Sequence, residues 1–114
     1  MTTRQMMSSE PNAVEKFIRA SLKGFRYFRE QRAGTVAILT KFMRIREDMA
    51  GKIYDVVRPG VTLDGTVSEE LQRRSIEHVV SRAALKEAPR LDRIFDNSVL
   101  QRVRQELQAK GWKP

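Results

Sequence analysis

The side chains of this sequence that could do chemistry are a single histidine and three pairs of carboxylates. His78 is the only histidine, and the residue four positions later is Arg82, a poor partner for a metal ligand or a general base. Its neighbours Arg74 and Glu77 indicate a solvent-facing ion network instead. We therefore expect His78 to lie on the surface without a catalytic role.

The carboxylate pairs fall where helices are expected to begin or where the chain is expected to turn. They are Glu47-Asp48, Glu69-Glu70, and Asp92 with Asp96. Acids at such positions cap backbone N–H groups and interact favourably with the helix dipole. The sequence has no cysteine, no Gly-rich phosphate loop and no Ser/His/Asp order that would accompany them. We therefore expect no metal, no cofactor and no enzymatic activity.

The chain is basic, with 22 Lys and Arg against 14 Asp and Glu and a formal net charge of +8. This balance raises nucleic-acid binding as an alternative function, because Arg73-Arg74 and Arg102 with Arg104 could contact phosphate. The charges are interleaved in every segment, however, and no run of five like charges occurs. Aromatic residues are also too scattered for a base-stacking platform. We therefore do not expect a nucleic-acid partner.

Apolar residues recur every three or four positions, which predicts an all-α chain of about five helices. The first helix is expected over residues 12–32, with Gly24 explained by the close approach of another backbone. Its predicted inward-facing residues are Val14, Phe17, Ile18, Leu22, Phe25 and Phe28. Such stripes are unstable in isolation, so each must pack on another surface.

Four further helices follow in the same way. Thr35 is expected to cap the second helix, and Pro59-Gly60 to stop the third, which begins at residues 46–48. The fourth begins at a Thr66/Glu69 capping box or at Ser68 and ends near Leu85; the last runs from Ser98 to Gly111. The predicted inward faces are, in order, Val36, Leu39, Phe42 and Met43; Met49, Ile53, Val56 and Val57; Leu71, Ile76, Val79, Val80 and Ala83; and Val99, Leu100, Val103 and Leu107.

The length of 114 residues predicts one helical domain, residues 1–114, with residues 1–10 loose. A compact domain of this size has a radius of gyration of roughly 13 Å. No apolar run approaches the roughly 18 residues that a membrane-spanning helix needs. Residues 1–7 also lack the apolar core of an export signal.

The order of segments resembles the C-terminal portion of substrate-binding proteins of ABC transporters, of the nitrate/sulfonate/taurine type that includes the thiamine-pyrimidine-synthase-like proteins. The matching pieces are Thr2-Thr3-Arg4, the helix opening at residues 10–17 and its continuation through 22–28, the pair at 34–43, residues 50–54, the turn Asp64-Gly65, residues 69–72, and Ile94-Phe95-Asp96 before the last helix. Each piece is short, and the resemblance lies in their order and spacing over nearly the whole chain.

The resemblance implies a piece of a receptor with two α/β lobes that close on a small organic or oxyanionic solute and deliver it to a membrane permease for ATP-driven import. This chain would correspond to the C-terminal third, with the α/β lobes missing, and no ligand-binding residue is assigned. The family implies a periplasmic location, whereas a natural start at Met1 without an export signal would imply the cytoplasm. Helices that cover a sheet expose apolar faces without it, so we expect self-association, as a small bundle or a helix-exchanged dimer.

Overall fold

The computed structural model describes residues 2–84 and 87–113, and its longest element is a helix of 20 residues. The helices are α1 (Arg4–Ser9), α2 (Pro11–Glu30), α3 (Arg32–Met43), α4 (Glu47–Val57), α5 (Glu69–Ala83), α6 (Leu91–Ile94) and α7 (Ser98–Ala109), with a 3-10 turn at Arg58–Gly60. No strand occurs in the described ranges, so the all-α prediction is confirmed. Five of the helices have 11 or more residues, in agreement with the five expected.

Several helix starts differ from the prediction. Thr35 does not cap α3. Only Gln31 separates α2 from α3, so α3 already begins at Arg32, and Thr35 is buried in the interior of this helix. Of the two alternatives for α5, Ser68 is the cap: its hydroxyl accepts a hydrogen bond from the backbone N–H of Leu71 at 3.3 Å. The predicted end near Leu85 lies outside the described residues.

Within residues 1–10, which were expected to be loose, residues 4–9 form the short helix α1. The Thr3 side chain caps α1 by accepting a hydrogen bond from the backbone N–H of Met6 at 3.1 Å. None of the residues of α1 is fully buried, so this helix adds little to the core.

Two small cores lie along α2 and share no residue. The α2–α7 core contains Leu22, Val103 and Leu107 as buried residues, with Trp112 among the side chains packed against it. The α3–α4 core contains Val36, Ala50 and Tyr54, and Phe28 reaches it from the far end of α2. The radius of gyration is 17.0 Å, well above the compact value of roughly 13 Å, because these cores are side by side and not merged.

The two ends of α2 are thus held differently, and the carboxyl end is fixed by polar bonds. The backbone carbonyl of Arg29 accepts hydrogen bonds from the Tyr54 hydroxyl at 3.3 Å and from Nε of Arg58 at 3.2 Å. The guanidinium of Arg29 itself donates to the carbonyl of Val61 at 3.0 Å. These bonds satisfy a carbonyl that the last turn of a helix leaves without an intrahelical partner.

The inward face predicted for α4 is wrong. The residues that α4 buries are Ala50, Gly51 and Tyr54. Met49, Val56 and Val57, predicted to face inward, are exposed, and Val56 keeps 80% of its accessible surface. The cause is close packing: small residues at 50 and 51 let α3 and α4 approach, and the Tyr54 ring lies 5.0 Å from that of Phe28.

The other predicted stripes are buried only in part. On α7, Val103 and Leu107 are buried as expected, and on α2 so are Val14 and Leu22. The exceptions are large and exposed side chains: Phe17, Phe25, Phe42, Met43, Leu71 and Val79. None of the helices in residues 2–84 and 87–113 is both long and apolar enough to cross a membrane.

Gly24 does not meet another backbone within the described chain: a Cβ built there has no heavy atom within 4 Å. We predict that Gly24→Ala stabilises the protein by about 1 kcal/mol, because alanine lowers the entropy cost of a helix interior. Urea unfolding should show a higher midpoint with an unchanged slope.

Gly65→Ala is the matched control for that variant. Gly65 has φ +74°, and its Cβ would lie 3.2 Å from methyl groups of Leu22 and Leu100, so this variant should lower the midpoint. Equal effects of the two substitutions would contradict the open surroundings of Gly24.

Candidate functional site

The side chains singled out for chemistry do not converge. His78 is exposed on α5, as expected. Within the part of the chain that the structure describes, no three His, Cys, Asp or Glu residues are grouped as a metal site would need.

The carboxylate pairs lie at helix starts and are engaged by nearby bases. Glu69 and Glu70 pair with Arg73 and Arg74 one turn later on α5. Such exposed pairs stabilise a helix by a few tenths of a kcal/mol and do no chemistry.

The remaining two pairs of acids are also accounted for locally. Asp48 pairs with Arg46 at 3.1 Å in the first turn of α4, and Asp92 pairs with Arg90. Hydrogen bonds from the side chain and backbone N–H of Ser98 hold the pKa of Asp96 below its usual range. Asp48, Asp92 and Asp96 are therefore acceptors near helix starts, and Glu47 lies in the first turn of α4; of the three acceptors, Asp96 is the one that binds a backbone N–H group of the described residues.

The four basic side chains singled out for phosphate contact are likewise all paired. Arg102 contacts Glu15 at 2.6 Å, and Arg104 lies 3.3 Å from Asp64. Ten Lys and Arg side chains of the described residues pair with a carboxylate in this way. Pairing lowers the local positive field that phosphate binding needs.

One side of the α3–α4 pair forms an open groove that sequence patterns did not reveal. Arg32 donates two hydrogen bonds to Asp55, at 2.8 and 3.1 Å, and its guanidinium lies 5.6 Å from the centre of the Tyr54 ring. The hydrogen bond from Arg32 lowers the pKa of Asp55. The partners are 23 residues apart, so no local spacing could have indicated them.

The groove has a volume of about 500 Å³. Its lining residues are Arg32, Val36, Glu47, Asp48, Gly51, Lys52 and Asp55. Both signs of charge are present, and Gly51 leaves room for the Arg32 guanidinium. With Arg32 already neutralised by Asp55, the groove offers no single sign of charge to a ligand.

The more informative surface is apolar. Five of the large apolar side chains exposed on α3 and α4 are here called the α3–α4 apolar residues. They are Ile38, Phe42, Met49, Val56 and Val57, with exposed fractions of 56, 85, 46, 80 and 45%. Ile38 and Phe42 are four residues apart on α3, and Met49 and Val56 are seven apart on α4, so each set lies on one face of its helix. Large apolar side chains that share an exposed helix face are candidates for an interaction surface.

In comparisons with known proteins, no family model, no curated protein and no solved structure matches this chain.

Proposed function

We propose that these 114 residues supply the helical part of a solute receptor of an ABC importer. In such a receptor the α/β lobes capture a small organic or oxyanionic solute and deliver it to the membrane permease. The chain itself has a covering and positioning role without catalytic activity. The order of segments described above, from Thr2-Thr3-Arg4 to the last helix, supports this assignment.

One observation carries the proposal: α4 is apolar on two faces. It buries Ala50, Gly51 and Tyr54 against its neighbours and presents Met49 and Val56 to solvent. A helix that is apolar on more than one side is normally covered on more than one side. In layered α/β domains a helix contacts neighbouring helices on one side and a sheet on the other. The second face of α4 fits a sheet in this way.

The decisive experiment is to read the DNA upstream of the Met1 codon and to produce the complete reading frame. An in-frame continuation that encodes a strand-rich lobe supports the proposal, and its product should bind one solute tightly in calorimetry with nitrate, alkanesulfonates and pyrimidine precursors. The 114 residues alone should bind none of these. Tight one-to-one binding by the 114 residues, or a frame without such a lobe, would contradict the receptor assignment.

The same uncovered faces predict that the 114-residue chain associates with itself through the α3–α4 apolar residues. We expect sedimentation at tens of micromolar to show oligomers, and Phe42→Glu or Val56→Glu to shift them towards monomers. Both side chains are exposed, so circular dichroism should be unchanged.

Ala37→Glu is the matched control, because it adds the same charge to an exposed position turned by about 100° from Ile38 on α3. It should leave association intact. A stable monomer in the unmodified protein, or equal disruption by the control, would rule out this surface.

The alternative from another class is a basic nucleic-acid-binding module, which the net charge of +8 raises. We expect no complex in a mobility shift with duplex or single-stranded nucleic acid at about 200 mM salt, because the four arginines singled out for phosphate contact already pair with carboxylates. A complex that is tight at about 50 mM salt and weakens by orders of magnitude at 200 mM would favour the alternative.

A further inference from the structure

The contact between α2 and α7 is lined by an ionic cluster, here called the α2–α7 seam. Its ion pairs are Glu15–Arg102, Arg19–Glu106, Lys110–Glu106 and Asp64–Arg104. Glu15–Arg102 and Arg19–Glu106 join α2 to α7, and Asp64–Arg104 joins α7 to the loop of residues 61–67. The seam therefore connects segments that are far apart in the sequence.

The loop reaches the seam through a fixed turn. Asp64 accepts hydrogen bonds from the backbone N–H of Thr66 at 2.9 Å and from its hydroxyl at 2.7 Å. Gly65 follows with a positive φ, and a Cβ added there would lie 3.2 Å from methyl groups of Leu22 and Leu100, so the backbone of the turn lies close to that core. The loop thus covers the α2–α7 core and presents Asp64 to Arg104.

Few buried groups hold α7 besides this seam. The fully buried members of the α2–α7 core are Leu22, Val103 and Leu107, and none of them belongs to the α3–α4 core. Elements with separate cores can open separately, at a lower free energy than global unfolding. Loss of the seam would therefore act on α7 before it acts on α3 and α4.

We propose that α7 is an acid-released helix: protonation of Asp64 and Glu106 in the seam detaches it from α2 and uncovers Leu22, while the α3–α4 core stays folded. This inference is independent of the receptor assignment, because it uses only groups at the α2–α7 contact.

Like charges drive the release once the carboxylates are neutral. The charged groups at the contact are Glu15, Arg19 and Arg26 on α2, Asp64 on the loop, Arg102, Arg104 and Glu106 on α7, and Lys110 and Lys113 after it, where the Lys113 carbonyl accepts from Arg26. At neutral pH the Glu106 carboxylate pairs with both Arg19 and Lys110. When Glu106 is protonated, these two bases lose the anion that they share, and like charges at such distances repel.

The pH range follows from the direction of the shifts. Hydrogen bonds from Thr66 lower the pKa of Asp64, and those from Lys110 and Arg19 lower the pKa of Glu106. A carboxylate with a lowered pKa stabilises the fold above its unfolded pKa of about 4, and this contribution is lost as the pH falls through the folded value. We therefore expect release below about pH 4 and none near neutrality.

The single tryptophan provides the test, since Trp112 packs against the α2–α7 core. During acid titration its emission should shift to the red at a higher pH than that at which most of the far-UV helical signal is lost. Hydrogen exchange should show α7 amides losing protection before those of α3 and α4. A single pH at which the tryptophan emission and the whole helical signal change together would overturn the proposal.

Two variants separate the seam from a general effect of acid. Glu106→Gln should move the Trp112 transition to higher pH, because one carboxylate of the seam is already neutral. Glu70→Gln removes an exposed pair within α5 and should leave that transition where it is. Equal shifts in both variants would contradict a role of the seam.

Arg19→Gln keeps the test valid if Glu106→Gln does not fold. It removes the attraction to Glu106 at neutral pH and the repulsion from Lys110 in acid, so the difference in α7 protection between pH 7 and pH 3 should shrink. An unchanged difference would count against the proposal.

Discussion

Helix α2 is the constraint on which the rest of the structure depends, because both buried cores are built on it. Leu22 in its middle belongs to the α2–α7 core, and Phe28 near its end packs against the α3–α4 core. Its amphipathic pattern is what allows this, since one long apolar face can receive two partners in succession. With α2 shared, neither core needs to contact the other, and the chain is extended, with principal dimensions of 46 × 38 × 25 Å.

The sequence predicted the helices better than it predicted their packing. Periodicity identified the five long helices, because that signal is local. The acids Asp48, Glu69 and Glu70 lie in first turns as expected, but they pair with arginines, and the side chain that caps α5 is Ser68. Periodicity was less reliable in predicting which face of a helix is buried. It failed for α4, where Met49 and Val56 were expected inside and Ala50, Gly51 and Tyr54 are buried instead. Apolar periodicity selects the larger hydrophobic face, whereas close helix packing can select the smaller one.

The groups that hold separate elements together were the least predictable. Arg32 with Asp55, and Arg19 with Glu106, pair across 23 and 87 residues. No spacing rule relates such positions, since the pairing depends on how α3 packs on α4 and how α2 packs on α7. Trp112 was likewise unplaced by pattern, although it packs on the α2–α7 core once α7 ends at Ala109. Long-range ion pairs can be read only from coordinates, while the bases and acids that form them are visible in the sequence.

The polar end of α2 has a mechanical consequence. The Tyr54 hydroxyl and Nε of Arg58 both donate to the backbone carbonyl of Arg29. Sliding of the end of α2 along α4 would therefore break two hydrogen bonds at once. The register of α2 against α4 is thus set at Arg29, and with it the offset between the α3–α4 core and the α2–α7 core farther back along the same helix.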